Sequence, residues 1–251
     1  MVTAKDWAVR AGGPFDDLEI RLCFVGLVAG LVVAGVAVSR FGRWSGAHLN
    51  PVVTIGLWLQ GVVAPDDVAG YCVAQVIGGI VGVCAARIWG VTVGYKIVHW
   101  AVIVPSSHLS QISAAVIEAV ATFLQLGVVF AALASPVFQR WTPVIAGVLL
   151  AIFIAALAQV SGAGFNPVRG LAPDVWAGSY TALWVYLAGP LLGSTAAALV
   201  VRLRSSIPLT GKLRHDPTIS CRMRCALPHQ PENTLDAGQR ATAWCNRLDQ
   251  S

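Results

Sequence analysis

The chain has 251 residues, of which 56% are hydrophobic and only 12% charged, with a mean hydropathy of +0.70. A soluble domain carries about 25% charged residues, so this composition excludes an ordinary water-soluble fold and points to lipid as the solvent. The formal charge of +5 does not indicate a nucleic-acid partner, because the basic residues sit in connections and in the tail, where they act as topology signals.

In chain order, residues 1–17 are polar and lack the apolar core of a cleavable signal peptide. Five apolar stretches then reach the length needed to cross a bilayer: 18–39, 67–90, 112–134, 142–160 and 180–203. Two shorter ones, 50–60 and 166–176, are too short to cross and read as re-entrant half-helices, tolerated only where protein or a water-filled cavity surrounds them. Residues 204–251 are polar without periodicity and read as a disordered cytoplasmic tail. Arg40, Arg43, Arg140, Arg202 and Arg204 all fall on one side of this arrangement. The opposite connections, 91–111 and 161–179, hold only Lys96 and Arg169. The positive-inside bias makes the first side cytoplasmic, and the two half-helices then enter from opposite faces.

Each half-helix begins with the same phrase. Ser45-Gly46-Ala47-His48-Leu49-Asn50-Pro51-Val52 recurs 116 residues later as Ser161-Gly162-Ala163-Gly164-Phe165-Asn166-Pro167-Val168. A repeat of this kind marks a duplicated architecture, and in membrane proteins the solute site lies where the two broken helices meet. Asn is a good helix N-cap and Pro is favoured at the next position, so each Asn-Pro-Val starts a helix. Two facing starts bring two positive dipole ends together, opposing cations and protons, while the Asn50 and Asn166 amides offer hydrogen bonds to a neutral solute.

Several single residues stand out against that background. Arg169 directly follows the second motif, and an arginine at membrane depth faces a cavity with carbonyl partners, so it is the candidate filter residue. Glu118 lies inside the third span; with no Lys or His near it to form a relay, it is expected to accept backbone N–H groups of non-helical chain. His48 has Gly164 as its counterpart and is expected to hydrogen-bond the re-entrant backbone. Ala74, Gly78 and Gly82, and likewise Gly189, Pro190 and Gly193, form small-residue stripes expected to pack against other helices. Cys23, Cys72 and Cys84 fall in apolar segments; Cys221, Cys225 and His229 in the tail make a weak metal-like spacing and are read as idle groups. No nucleophile–base pair or metal constellation is evident, so catalysis, a cofactor and a metal are not expected.

These residues resemble the aquaporin and glycerol-facilitator family, the major intrinsic proteins. SGAHLNPVVTIGLWL and SGAGFNPVRGLAP are similar to its two NPA boxes. YCVAQVIGGIVG and WVYLAGPLLG resemble its third and sixth helices, and Glu118 matches its fourth-helix acid. The resemblance covers about residues 18–203 and implies an all-α membrane protein, an aquaporin-like inverted repeat with five visible transmembrane helices and two half-helices (first repeat 18–90, second 112–203). It further implies a homotetramer in the cell membrane passing water or small uncharged solutes such as glycerol, urea, ammonia or peroxide.

Three departures qualify the resemblance. Both boxes read NPV, adding bulk at the half-helix contact. Ungapped counting from the Asn residues puts the family's constriction at Gly30, Ile154, Ala163 and Arg169, a wide and weakly polar set without the usual aromatic or His. Finally, 54 residues separate Ile112 from Asn166, whereas 49 precede Asn50 and the first 17 are polar, so a counterpart of the family's first helix is missing. That leaves either a start set further upstream or a five-span remnant, and with the latter the alternative function of a non-conducting relic or structural membrane subunit.

Overall fold

Asp17 opens the first helix: its side chain accepts the Glu19 amide at 2.7 Å, and α1 runs Leu18–Val38. In this computed structural model, which describes residues 17–89, 99–204, 207–219 and 223–227, every regular element is helical. Ser39 ends α1 and caps the short α2 (Arg40–Ser45), which Gly46 closes in the left-handed conformation, φ 84°. α3 (Pro51–Leu59) and α7 (Pro167–Ala177) are the half-helices, each with Pro in its first turn. α4 (Pro65–Ala85), α5 (Gln111–Ala134), α6 (Thr142–Leu157) and α8 (Leu183–Leu203) complete the set. Five helices among the described residues are long and apolar enough to cross a membrane. Their outward side chains, including Phe24, Leu31, Ile152 and Leu192, are exposed, as befits a lipid-facing surface.

Glycine sets the closest crossings. α1 packs on α6 at Gly26 and Gly30, where an added Cβ would overlap the carbonyls of Ala151 and Gly147. α8 packs on α5 at Gly189 and Gly193, against the Ala115 and Ala119 carbonyls. Such contacts exist because small residues let helix backbones approach in the absence of a hydrophobic drive within lipid.

The repeat relates α1, α3 and α4 to α6, α7 and α8, and α5 has no counterpart among the described residues. The consequence falls on α4. None of its described residues is buried, and Gly78 and Gly82 meet nothing within 4 Å, so the packing expected of that stripe is not made within the described chain. Gly79, next to Gly78 and turned about 100° around the helix from it, does pack: it faces the Val168 side chain and Ala172 of α7. The extra bulk of the second Val therefore lands on a glycine.

The described part of the tail also differs from expectation. Residues 207–219 and 223–227 are folded against the end of α5 and the loops after α2 and α3, with Thr210, Lys212, Leu213 and Met223 buried. Its order comes from backbone bonds to other loops, such as Leu209 N–H to the Leu133 carbonyl at 3.0 Å and Leu213 N–H to Gly46 at 3.1 Å. Irregular chain pinned in this way leaves no periodicity for a sequence reading to detect.

Candidate functional site

Both motif loops turn through left-handed backbone before entering their helices: Gly46 and Ala47 in the first, Gly162, Ala163 and Phe165 in the second. Glycine tolerates that region freely and Ala does not, so each loop needs external support. The first gets it from α4, where the Tyr71 hydroxyl donates to the Ser45 carbonyl at 2.5 Å and the Gln75 amide donates to the His48 carbonyl. The second gets it from α8 and α5. The Tyr186 hydroxyl donates to the Ser161 carbonyl at 2.7 Å. Glu118, fully buried, accepts from Ser161 Oγ at 2.7 Å, Gly164 N–H at 3.0 Å and Phe165 N–H at 2.7 Å.

Asn50 and Asn166 leave their loops in nearly the same extended conformation, φ −149° and −152°. Each side-chain oxygen accepts the amide two residues on, Val52 at 3.1 Å and Val168 at 2.9 Å, capping its own half-helix. Each side-chain N–H₂ crosses to the other loop: Asn50 Nδ2 donates to the Phe165 carbonyl at 2.8 Å and Asn166 Nδ2 to the Leu49 carbonyl at 3.1 Å. The two helix starts are thus tied end to end. A family model described as Major intrinsic protein matches residues 6–201, which include both loops.

The chain belongs to the major intrinsic protein family. It is similar to a probable aquaporin, TIP2-2, of Oryza sativa subsp. japonica, 34% identical over 204 residues that cover 77% of this chain and 75% of that one. It is also similar to the glycerol uptake facilitator protein-like 6 of Lactiplantibacillus plantarum, 30% identical over 188 residues, 72% of this chain and 85% of that one. Among solved structures, the aquaglyceroporin from Plasmodium falciparum superposes with a TM-score of 0.61 over 78% of this chain and 88% of that one, at 20% identity, a likeness of fold. As a member of the major intrinsic proteins, this is a multi-pass membrane protein of a channel family and not an enzyme.

Arg169, on the first turn of α7, donates from a guanidinium nitrogen to the Ala101 carbonyl at 2.7 Å. That carbonyl is presented by an unusual turn: His99, Trp100 and Ala101 all have positive φ, and the buried Trp100 anchors the turn beside Trp176, ring centres 6.2 Å apart. Ala101 was invisible to sequence reasoning, since any residue supplies a carbonyl and only the fold brings this one to Arg169. Arg169, Asn166, His48 and Leu49 line one cavity of about 860 Å³, bounded on another side by Gln75, Gly78 and Gly82 of α4.

Two sequence assignments need correction. Gly30 does not face this cavity; it lies in the α1–α6 crossing, buried against Gly147. Counting without gaps fails there because α2 and its flanking turns set the spacing between α1 and Asn50. His48 bonds not the re-entrant backbone but the tail: its Nε2 lies 2.6 Å from the Gly211 carbonyl, and Nδ1 lies 3.3 Å from Thr54 Oγ1. Ile154 and Ala163 come together, with Phe153 and Phe165, in a separate apolar cluster. Val52 is buried in the main apolar core, and Pro51 and Pro167 are the first residues of their helices. In the tail, Cys225 Sγ lies 3.3 Å from His215 Nδ1, while Cys221 and His229 lie outside the described residues.

Proposed function

We propose that this protein is a passive channel for water and small uncharged solutes, in the size range of glycerol, urea, ammonia and peroxide. The observation that carries the reading is the reciprocal pairing of Asn50 and Asn166. One N–H of each amide is spent on the opposite loop, so the other is left to offer a passing solute. Two facing half-helix starts place positive dipole ends at that point, opposing cations and protons without a gate. Arg169, held by the Ala101 carbonyl, is the filter donor. The relatives' names, an aquaporin and a glycerol facilitator, support solutes of this class. We place the protein in the cell membrane as a homotetramer.

Proteoliposomes containing the purified chain test this by stopped-flow light scattering with water, glycerol and urea. Faster relaxation than empty liposomes is expected for at least one of them. Equal rates for all three sink the channel reading in favour of a structural membrane subunit, which the face of α4 at Gly78 and Gly82, covered by no described residue, would suit.

A further inference from the structure

We propose that the described part of the tail, residues 207–219 and 223–227, is an autoinhibitory strap that plugs the cytoplasmic mouth of the channel. This rests on the channel reading and adds a regulatory element to it.

Three sets of contacts carry the inference. First, the strap bridges connections that surround the cytoplasmic entrance. Leu209 N–H bonds Leu133 at the end of α5, Arg214 donates to the Arg140 carbonyl at 2.7 Å, and Leu213 N–H bonds Gly46 in the first motif loop. Arg224 N–H reaches the Val62 carbonyl between α3 and α4. A segment touching all three connections spans the space between them.

Second, its apolar side chains go inward. Leu213 and Met223 belong to the same buried cluster as Ala37 of α1, Leu57 of α3, Phe130 of α5, Ala146 of α6 and Ala197 of α8. Five elements contribute to that cluster, so these two side chains are packed against the helix bundle and not left at its surface. The end of the Met223 side chain packs against both Gly46 and Gly211.

Third, polar clamps fix the plug to the motif loop. Arg43 pairs with Asp216 at 2.6 Å, and the buried Lys212 ammonium donates to the Arg43 carbonyl at 2.8 Å. The Gly211 carbonyl sits on the imidazole of His48, two residues before Asn50. Docking of the strap is therefore coupled to the loop that places the first Asn. Every anchor lies on one short segment beyond the last span, so it can leave without unpacking a transmembrane helix. A plug docked in most molecules holds conduction down by the undocked fraction.

The test compares the full chain with a version ending at Arg204 and with full-length L213E, which puts a charge in the plug's apolar seat, in proteoliposomes with water, glycerol and urea. Circular dichroism and size-exclusion elution establish that each version is folded. Relaxation about threefold or more faster for L213E and the shortened chain than for the full chain is expected. L213E provides the answer alone if the shortened chain does not fold. Full chain and variants equal to one another, but all faster than empty liposomes, would leave the channel reading standing and overturn the strap. Slower conduction on strap removal also overturns it, making the segment a brace. All versions at the empty-liposome rate defeat both readings together.

Discussion

Asn50 and Asn166 each donate a side-chain hydrogen bond to the carbonyl that precedes the other, Asn50 to Phe165 and Asn166 to Leu49. Each residue therefore does two jobs with one amide: the oxygen caps its own half-helix and the nitrogen holds the opposing loop. Two short helices of 9 and 11 residues, marginal in isolation, are in this way fixed end to end.

Replacing Asn by Asp separates the two jobs. Asn50→Asp keeps the cap acceptor for Val52 N–H and loses the donor to Phe165. It is expected to leave α3 formed while lowering thermal stability in detergent by the equivalent of about 1–2 kcal/mol and reducing solute permeability. Asn50→Ala loses both contacts and costs roughly 1 kcal/mol more for the missing cap. Equal melting temperatures for N50D and wild type would show that the cross-loop bond does not hold the pair together.

Glu118 accepts three donors from the second motif loop. Glu118→Gln keeps one oxygen acceptor and turns an N–H₂ group toward backbone N–H groups. At least one buried donor is then unpaired, at about 1–3 kcal/mol. A lower detergent melting temperature together with reduced permeability is expected. Loss of permeability with unchanged melting would instead assign the carboxylate a role toward the solute.

The glycine stripes of α4 and α8 predict opposite outcomes for the same substitution. Gly193→Ala drives a Cβ into the Ala119 carbonyl and Thr122 of α5 and is expected to cost about 1–3 kcal/mol. Gly78→Ala enters open space and is expected to stay within about 0.5 kcal/mol of wild type. Thermal melts of the two variants side by side decide it. A loss at Gly78 as large as at Gly193 would mean that another helix covers α4 in the membrane.

Asp216 anchors the strap with its carboxyl held below the usual carboxylate range, first by the Thr218 hydroxyl and amide and then by Arg43. A depressed folded value means the stabilisation is present above the free-acid pKa of about 3.9 and is lost as pH falls through the lower folded value. The Thr218 amide resonance in an isotope-labelled sample should therefore titrate with its midpoint below about 3.9. A midpoint at or above that value would show that the hydrogen bonds and the ion pair to Arg43 do not form in solution.

Much of the architecture was legible because membrane physics writes it locally. Spans declare themselves by apolar length, and Asn-Pro announces a helix start within two residues. The predicted spans agree with the observed helices to a few residues, the largest difference being at the end of α4, where Ala86–Trp89 tightens into a 3-10 turn. Glu118 was legible too, because a lone carboxylate in lipid has few affordable roles. Gly30 was not: whether a residue faces a cavity or another helix depends on how α1 rotates against α6, which the spacing to Asn50 does not encode. The partner of His48 and the order of the tail were hidden for a related reason, since both depend on contacts between residues far apart along the chain, such as His48 and Gly211, 163 residues apart.

The sequence by itself determined that this chain lives in a membrane, that it is built on a doubled Asn-Pro-Val motif, and which residues start the half-helices. Each of these rests on short-range chemistry: apolar length, N-capping and proline's fixed geometry. Only the tertiary structure decided that the two Asn amides reach across to each other's loops, that Ala101 supplies the carbonyl for Arg169, that no described residue covers the Gly78–Gly82 face of α4, and that the described part of the tail packs on the first motif loop. Those outcomes are set by helix crossings and by hydrogen bonds between distant loops, where any backbone carbonyl can serve and only position selects one.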